Sequence, residues 1–413
     1  MEKFEKLGLS KGLLEVLNEF GFKEPSEIQE KAIPLALAGR DIIGGSATGS
    51  GKTLVFASPI IENLKSNNGV QALILTPTRE LAEQVTKMIR KFSNKKELNV
   101  LAIYGGVDIN QQIRKIPNTD IVVGTPGRIL DHLNKRTLSL RAVKFLVLDE
   151  ADRMFDMGFY RDVERILSQC PRERQTMMFS ATISNNIDHL AKKYTKNPVE
   201  ISVNSYVDHS KLKQTYYDVP AYDKFSLLVH LLKKDQTNLS MVFCQTRRNV
   251  DFIANNLKKV GINSKAIHGG LPQNKRIKIL EEFHQKKISV LICTDVAARG
   301  LDIKGVSHIY NYDLPSTSED YIHRIGRTAR AGKEGKAISI LSNKDYENFR
   351  NISRDESLTI TPEELPEFKI ISLQTDFREN RDNRFGGRGR QENKKNFSGR
   401  RNSGRNVQSI RRR

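Results

Sequence analysis

Apolar residues in this chain gather into short runs, and between the runs the apolar positions recur every three or four residues. The runs are Asp41-Ile42-Ile43, Ala72-Leu73-Ile74-Leu75, Val100-Leu101-Ala102-Ile103, Ile121-Val122-Val123, Phe145 to Leu148 and Thr176-Met177-Met178-Phe179, with a last one near Val199 to Val203. Short β-branched runs of this kind predict strands buried on both faces, and the helical periodicity between them predicts crossovers, so the pattern is that of a parallel sheet covered by helices. The segment Asn204 to Lys213 is polar and weakly patterned. Beyond it the alternation resumes with Met241-Val242-Phe243-Cys244, Lys265-Ala266-Ile267, Val290-Leu291-Ile292-Cys293, Ile309-Tyr310 and Ala337-Ile338-Ser339-Ile340. The second half thus repeats the architecture of the first. A short amphipathic helix precedes both, with Ser10 as its N-cap, Leu13, Leu14, Leu17 and Phe20 at helical spacing, and Gly21 as its stop.

In an open parallel sheet the turns after the strands share one edge, and ligands collect there. The apolar run Leu146-Val147-Leu148 stops abruptly at Asp149-Glu150-Ala151-Asp152, three carboxylates within four residues. Such a strand end suits a cation held beside a substrate; an acidic helix start facing water is the plainer alternative. A second turn tips the balance. Thr48-Gly49-Ser50-Gly51-Lys52-Thr53 ends as a phosphate-binding loop does, with glycines that expose backbone N–H groups at a helix start, a lysine for the β and γ phosphates and a hydroxyl for magnesium. The strict pattern asks for glycine five residues before Gly51, where Ser46 stands. Together the two turns predict a nucleoside triphosphatase: Thr53 and Asp149 on the metal, Lys52 on the phosphates, and Glu150 orienting and deprotonating the attacking water. Arg327 and Arg330 lie in the other half, and reach the charge developing on the γ phosphoryl group only if the halves close over the nucleotide.

Composition narrows the partner. At 413 residues the chain exceeds what one core normally spans, and 68 Lys plus Arg against 48 Asp plus Glu gives a net charge of +20, which points to a polyanion such as nucleic acid. No apolar stretch approaches a membrane span, and Glu2, Lys3, Glu5 and Lys6 interrupt the start, unlike a signal peptide, so a soluble, cytoplasmic protein without membrane contact is expected. Cys170, Cys244 and Cys293 are scattered and lack the spacing of a zinc site or a disulfide framework. From Arg378 to Arg413, thirteen basic residues stand against three acidic ones, half the net charge of the chain. That tract has no apolar periodicity and reads as disordered.

The motifs stand in an order that resembles the DEAD-box ATP-dependent RNA helicases of superfamily 2, over nearly all of residues 4 to 345. They are Phe4, Gly21 through Gln29, the phosphate loop, Pro77 to Ala82, Gly105-Gly106, Thr125 to Arg128, Asp149 to Asp152, Ser180-Ala181-Thr182, Phe243 with Thr246, Gln273 with Arg276, Thr294 through Asp302, and His323 to Gly332. The resemblance implies two tandem RecA-like α/β domains with parallel sheets, at 1–203 and 214–370, joined by a linker at 204–213 and followed by a disordered basic tail at 371–413. It further implies ATP and Mg2+ as cofactors, with Phe22 stacked on adenine and Gln29 on its hydrogen-bonding edge. The nucleotide would lie against Ser46, Ala47, Thr48, Gly49, Ser50, Gly51, Lys52 and Thr53, with Asp302 at the ribose. Asp152, Ser180, Thr182 and His323 would couple the nucleotide to the domain interface. Arg79, Gly106, Thr125, Arg128, Thr246, Arg276 and Thr294 would line a sequence-independent RNA track. The capping-box reading of Ser26 and Gln29 coexists with the adenine role.

Three positions depart from the family's usual residues: Ser46 for Ala, Ala47 for Gln or Thr, and Ala329 for the glycine between Arg327 and Arg330. The expected function is RNA-stimulated ATP hydrolysis coupled to local duplex separation or remodelling, with the tail as an RNA tether. An ATP-gated RNA clamp that unwinds little is the alternative, and a DNA helicase the weaker third.

Overall fold

The structure, a computed structural model, describes residues 1–45, 50–180, 185–203, 212–234, 239–298, 305–329 and 334–371. Its first sheet contains β1 (Ile42–Gly45), β2 (Ala72–Leu75), β3 (Val100–Ile103), β4 (Ile121–Gly124), β5 (Phe145–Leu148), β6 (Gln175–Ser180) and β7 (Val199–Ser202). Their spatial order is β3-β4-β2-β5-β6-β1-β7, and every pairing is parallel. The alternation of side chains along each strand serves two cores. In β2, Ala72 and Ile74 join a cluster with Phe4, Leu17, Ile33, Phe56 and Phe179, while Leu73 and Leu75 join Ile129, Met154, Ile166 and Leu190 on the opposite face. Both faces are covered by helices, which is why the strands read as unbroken apolar runs.

The second sheet holds β8 (Leu212–Asp218), β9 (Leu239–Phe243), β10 (Ser264–Ile267), β11 (Val290–Cys293), β12 (Val306–Asn311), β13 (Gly335–Leu341) and β14 (Thr361–Pro362). Its order, β10-β11-β9-β12-β13-β8-β14, is the first sheet's order seven strands later, again wholly parallel. These are the two RecA-like sheets that the sequence pattern anticipates, within one compact unit spanning Met1–Ile371.

Two strands had no sequence signal. β8 reads Leu-Lys-Gln-Thr-Tyr-Tyr-Asp and begins two residues inside the expected linker, because Gln214 and Thr215 are buried by their position between β13 and β14 and not by hydropathy. Residues 204–211 lie outside the described residues. β14 is a two-residue edge addition. At the far end, the Ile371 N–H donates to Ser226 Oγ at 3.0 Å, which ties to the core the first residue assigned to the tail; 372–413 lie outside the described residues. The three cysteines are free and buried, as core residues should be.

Candidate nucleotide and nucleic-acid site

Because all strands run the same way, their C-terminal ends put the singled-out turns on one edge of each sheet. At the end of β1, Ser50 and Gly51 lead into the helix Lys52–Asn63. Gly51 is its N-cap at φ +97°, and a Cβ there would run into the carboxamide of Gln29, so glycine is required twice over. That carboxamide accepts from the Ser26 N–H at 3.0 Å, closing the expected capping box, and donates through Nε2 to the Gly51 carbonyl at 3.0 Å. Ser26 Oγ donates to the Ser50 carbonyl at 2.6 Å. The start of the helix Glu27–Leu37 is thus stapled to the mouth of the phosphate loop. Phe22 is half-buried beside it, with its ring tilted against Phe92 at 5.8 Å. Ser46, Ala47, Thr48 and Gly49 lie outside the described residues.

Lys52 and Thr53 open the helix, and Lys52 is buried with Nζ 3.9 Å from Asp149 Oδ1, at the end of β5. Asp149 Oδ1 is itself buried and makes no hydrogen bond. Burial pushes this carboxyl up to about 6, against the pull of Lys52. An anionic oxygen so poorly compensated fits a metal cation: Asp149 and the Thr53 hydroxyl are the side chains that would hold Mg2+. The next residue behaves in the opposite way. Burial also works against charge on Glu150, yet the cations Arg153, Lys52 and Arg327 outweigh it and hold that carboxyl at about 2. Two adjacent carboxylates are thereby driven apart. Glu150 also has left-handed backbone, φ +53° and ψ +55°, at the N-cap of the short helix Ala151–Asp156. Arg153, one turn on, donates through Nη1 to Glu150 Oε2 at 2.5 Å.

That the charge of Arg327 is felt at Glu150 brings the second sheet's motif to the first sheet's carboxylate. Arg327 follows the helix Ser318–Ile325, is buried, and donates from Nε to the His323 carbonyl at 3.2 Å. The preceding Arg324 anchors that helix, pairing with both Asp295 carboxylate oxygens, donating to Asn311 Oδ1 and the Asp313 carbonyl, and covering the Phe243 ring. Ala329, the departure from glycine, takes φ +53°, a left-handed backbone that strains a residue with a side chain. Ser180 closes β6 and is buried, and Asp152 accepts from the Arg153 N–H at 2.9 Å. Thr182, Asp302 and Arg330 lie outside the described residues.

The expected RNA-binding positions line the same edge. Arg79 starts the helix Arg79–Phe92, and its guanidinium lies against Gly105 and Gly106; any Cβ at Gly106, φ +82°, would collide with it. Thr125 caps the helix Pro126–Asn134, from which Arg128 donates to the Val107 carbonyl and to Gln112 Oε1, both at 3.2 Å. In the second sheet Thr246 caps the helix Arg247–Lys259, accepting from the Asn249 N–H, and Thr294 directly follows β11. Arg276 meets a protein group: its Nη2 lies 3.2 Å from Glu80 Oε1, which also accepts from Gln273 Nε2 at 2.6 Å. Glu80, Gln273 and Arg153 had been given no role from sequence. Glu80 and Gln273 sit inside motifs already singled out, and their partnership across 193 positions is what the sequence conceals.

A buried lysine at a helix start facing a poorly compensated aspartate at a parallel strand end, in the first of two sheets with the same strand order, defines a phosphate-loop nucleoside triphosphatase of the two-domain RecA-like class. The DEAD/DEAH box helicase model matches residues 26–190, and the helicase conserved C-terminal domain model matches residues 223–332. The ATP-dependent RNA helicase CshA of Listeria monocytogenes is 47% identical over 370 residues, 89% of this chain and 71% of that protein. The DEAD-box ATP-dependent RNA helicase CshA of Geobacillus kaustophilus is 44% identical over 357 residues, 86% of this chain and 76% of that one. Among solved structures, S. cerevisiae Dbp5 bound to RNA and ADP BeF3 superposes with a TM-score of 0.79 at 32% identity, covering 88% of this chain and 96% of that one. A DEAD box protein from Methanococcus jannaschii is 45% identical, with a TM-score of 0.54 over 88% of this chain and 99% of its own. This chain belongs to the DEAD/DEAH box helicase family.

Proposed function

We propose that this protein is an ATP-dependent RNA helicase that separates short duplexes or remodels RNA–protein complexes in the cytoplasm without reading sequence. The observation that carries the reading is the arrangement at the end of β5: a buried Asp149 oxygen without a hydrogen bond, 3.9 Å from the Lys52 ammonium at a helix start, beside a buried Glu150 carboxylate paired with Arg153. Lys52 holds the β and γ phosphates, with Ser46 to Thr53 wrapped around them and Asp302 at the ribose. Asp149 and Thr53 would hold Mg2+, which would supply charge neutralisation at the phosphates. Glu150 orients the attacking water and takes its proton, and Arg327, with Arg330, stabilises the charge on the transferred phosphoryl group. Phe22 stacks on adenine, while the second lone pair of Gln29 Oε1 and the second proton of Nε2 meet its edge.

Asp152, Ser180, Thr182 and His323 couple this centre to closure. The RNA backbone runs over Arg79, Gly106, Thr125, Arg128, Thr246, Arg276 and Thr294, with the basic tail as a tether. Residues 1–203 and 214–370 act as the two moving bodies. Glu150→Gln tests the chemistry: we expect ATP and RNA binding to persist while hydrolysis and strand displacement stop. Parental turnover in that variant would refute the assignment.

A further inference from the structure

We infer that Arg153 is the positioning residue that fixes the Glu150 carboxylate for attack on water, an inference that rests on the reading of Glu150 as the base. The contact is an i, i+3 ion pair in which both side chains are more than nine-tenths buried, at 7% and 6% exposure. What separates it from a structural arginine is how little else Arg153 does. Arg324, equally buried, spends its guanidinium on Asp295, Asn311 and the Asp313 carbonyl. Arg153 leaves Nε and Nη2 buried with no hydrogen-bond partner, so Glu150 is the one side chain its guanidinium engages among the described residues. A buried cation with two unmet donors is a poor staple for a fold, since each unmet donor costs desolvation with no return.

The backbone supplies a second, independent reason. Glu150 is one of six non-glycine residues with positive φ among the described residues, and it is held there at the junction of β5 with a helix of six residues. Left-handed backbone at a side-chain-bearing residue persists only when the surroundings determine it. The Asp149 N–H is fixed by the Leu75 carbonyl at 2.9 Å, and the Arg153 N–H by Asp152 Oδ1. Those bonds place the two ends of the turn. The Arg153 guanidinium then selects the rotamer of the side chain between them, and the same pair holds a carboxylate oxygen in a defined direction.

The test measures ATP hydrolysis by the full chain with saturating RNA in Arg153→Gln and Arg153→Lys, beside Glu150→Gln. Misaiming the base lowers kcat by about ten- to a hundredfold with KM for ATP and for RNA nearly unchanged. Arg153→Lys, which keeps a cation within reach, regains most of that loss. If Arg153→Gln lowers kcat no more than it raises KM, or if the lysine variant is no better than the glutamine variant, the arginine only supports the fold and the inference fails. A rise in kcat also overturns it, since the pair would then restrain the base. Failure of the base assignment shows separately, as parental turnover in Glu150→Gln.

Discussion

Asp149→Asn should stabilise the nucleotide-free protein, and the gain should grow with pH. The magnitude follows from the raised carboxyl, which sits at about 6 in the folded chain against an ordinary value of 3.8. Between those values the folded state binds the proton more tightly than the unfolded chain, so stability contributed by the neutral acid is lost as pH rises through about 6. At 1.36 kcal/mol per tenfold change in proton affinity, the penalty for the charged side chain is about 2 kcal/mol at pH 5 and about 3 kcal/mol at pH 7.5. The attraction of Lys52 is already contained in that figure, because it acts on the same carboxylate. Asparagine keeps the shape and removes the charge. Urea unfolding of the two proteins without nucleotide or divalent ions should therefore show the variant ahead at pH 5 and further ahead at pH 7.5. Adding ATP with Mg2+ should reverse the order, as the parent gains a counter-ion that the variant cannot hold. A variant no more stable than the parent at pH 7.5, or a difference that does not change with pH, would refute the argument that Asp149 is an uncompensated anion awaiting a cation.

Glu80→Ala removes the acceptor shared by Gln273 and Arg276 and leaves two buried donors unmet; we expect weaker ATP-dependent RNA affinity by about 2 to 3 kcal/mol with nucleotide affinity in the absence of RNA little changed, measured by fluorescence anisotropy. Gln29→Ala should reduce discrimination between ATP and GTP, where a bidentate contact is worth about 1 to 3 kcal/mol, and should also loosen the phosphate loop by removing the bond to Gly51, read as a higher KM for both nucleotides. Deleting 378–413 should weaken RNA binding and flatten its salt dependence, each single-strand phosphate contributing a slope of about 0.7, with turnover at saturating RNA preserved.

How much of this was open to inspection in the sequence differs by element, for physical reasons. The strands of the first sheet are readable because burial on both faces forces continuous apolar runs, as in Phe145 to Leu148. β8 is not, because its burial comes from neighbours on either side while its composition is that of a surface segment. The phosphate loop and the carboxylate turn were legible because their chemistry needs fixed residue types at fixed local spacing. The pairing of Glu80 with Gln273 depends on two sheets meeting, and no local spacing reports it. The hold of Arg153 on Glu150 comes from the residue directly after the motif, where an arginine in isolation reads as a solvated side chain. Ala329 is legible as a departure from the family's glycine, but only the structure shows the alanine in the left-handed region.

The order β3-β4-β2-β5-β6-β1-β7 also has a consequence for the timing of synthesis. β1, whose end opens the phosphate loop, is flanked by β6 and β7, the last strands of that sheet to leave the ribosome. Until residues 175–202 emerge, a nascent chain carries an apolar strand with neither neighbour present. Both neighbours of β1 are present only when the chain has passed Ser202. The same wait recurs in the second sheet, where β8 must remain unpaired until β13 and β14 are made.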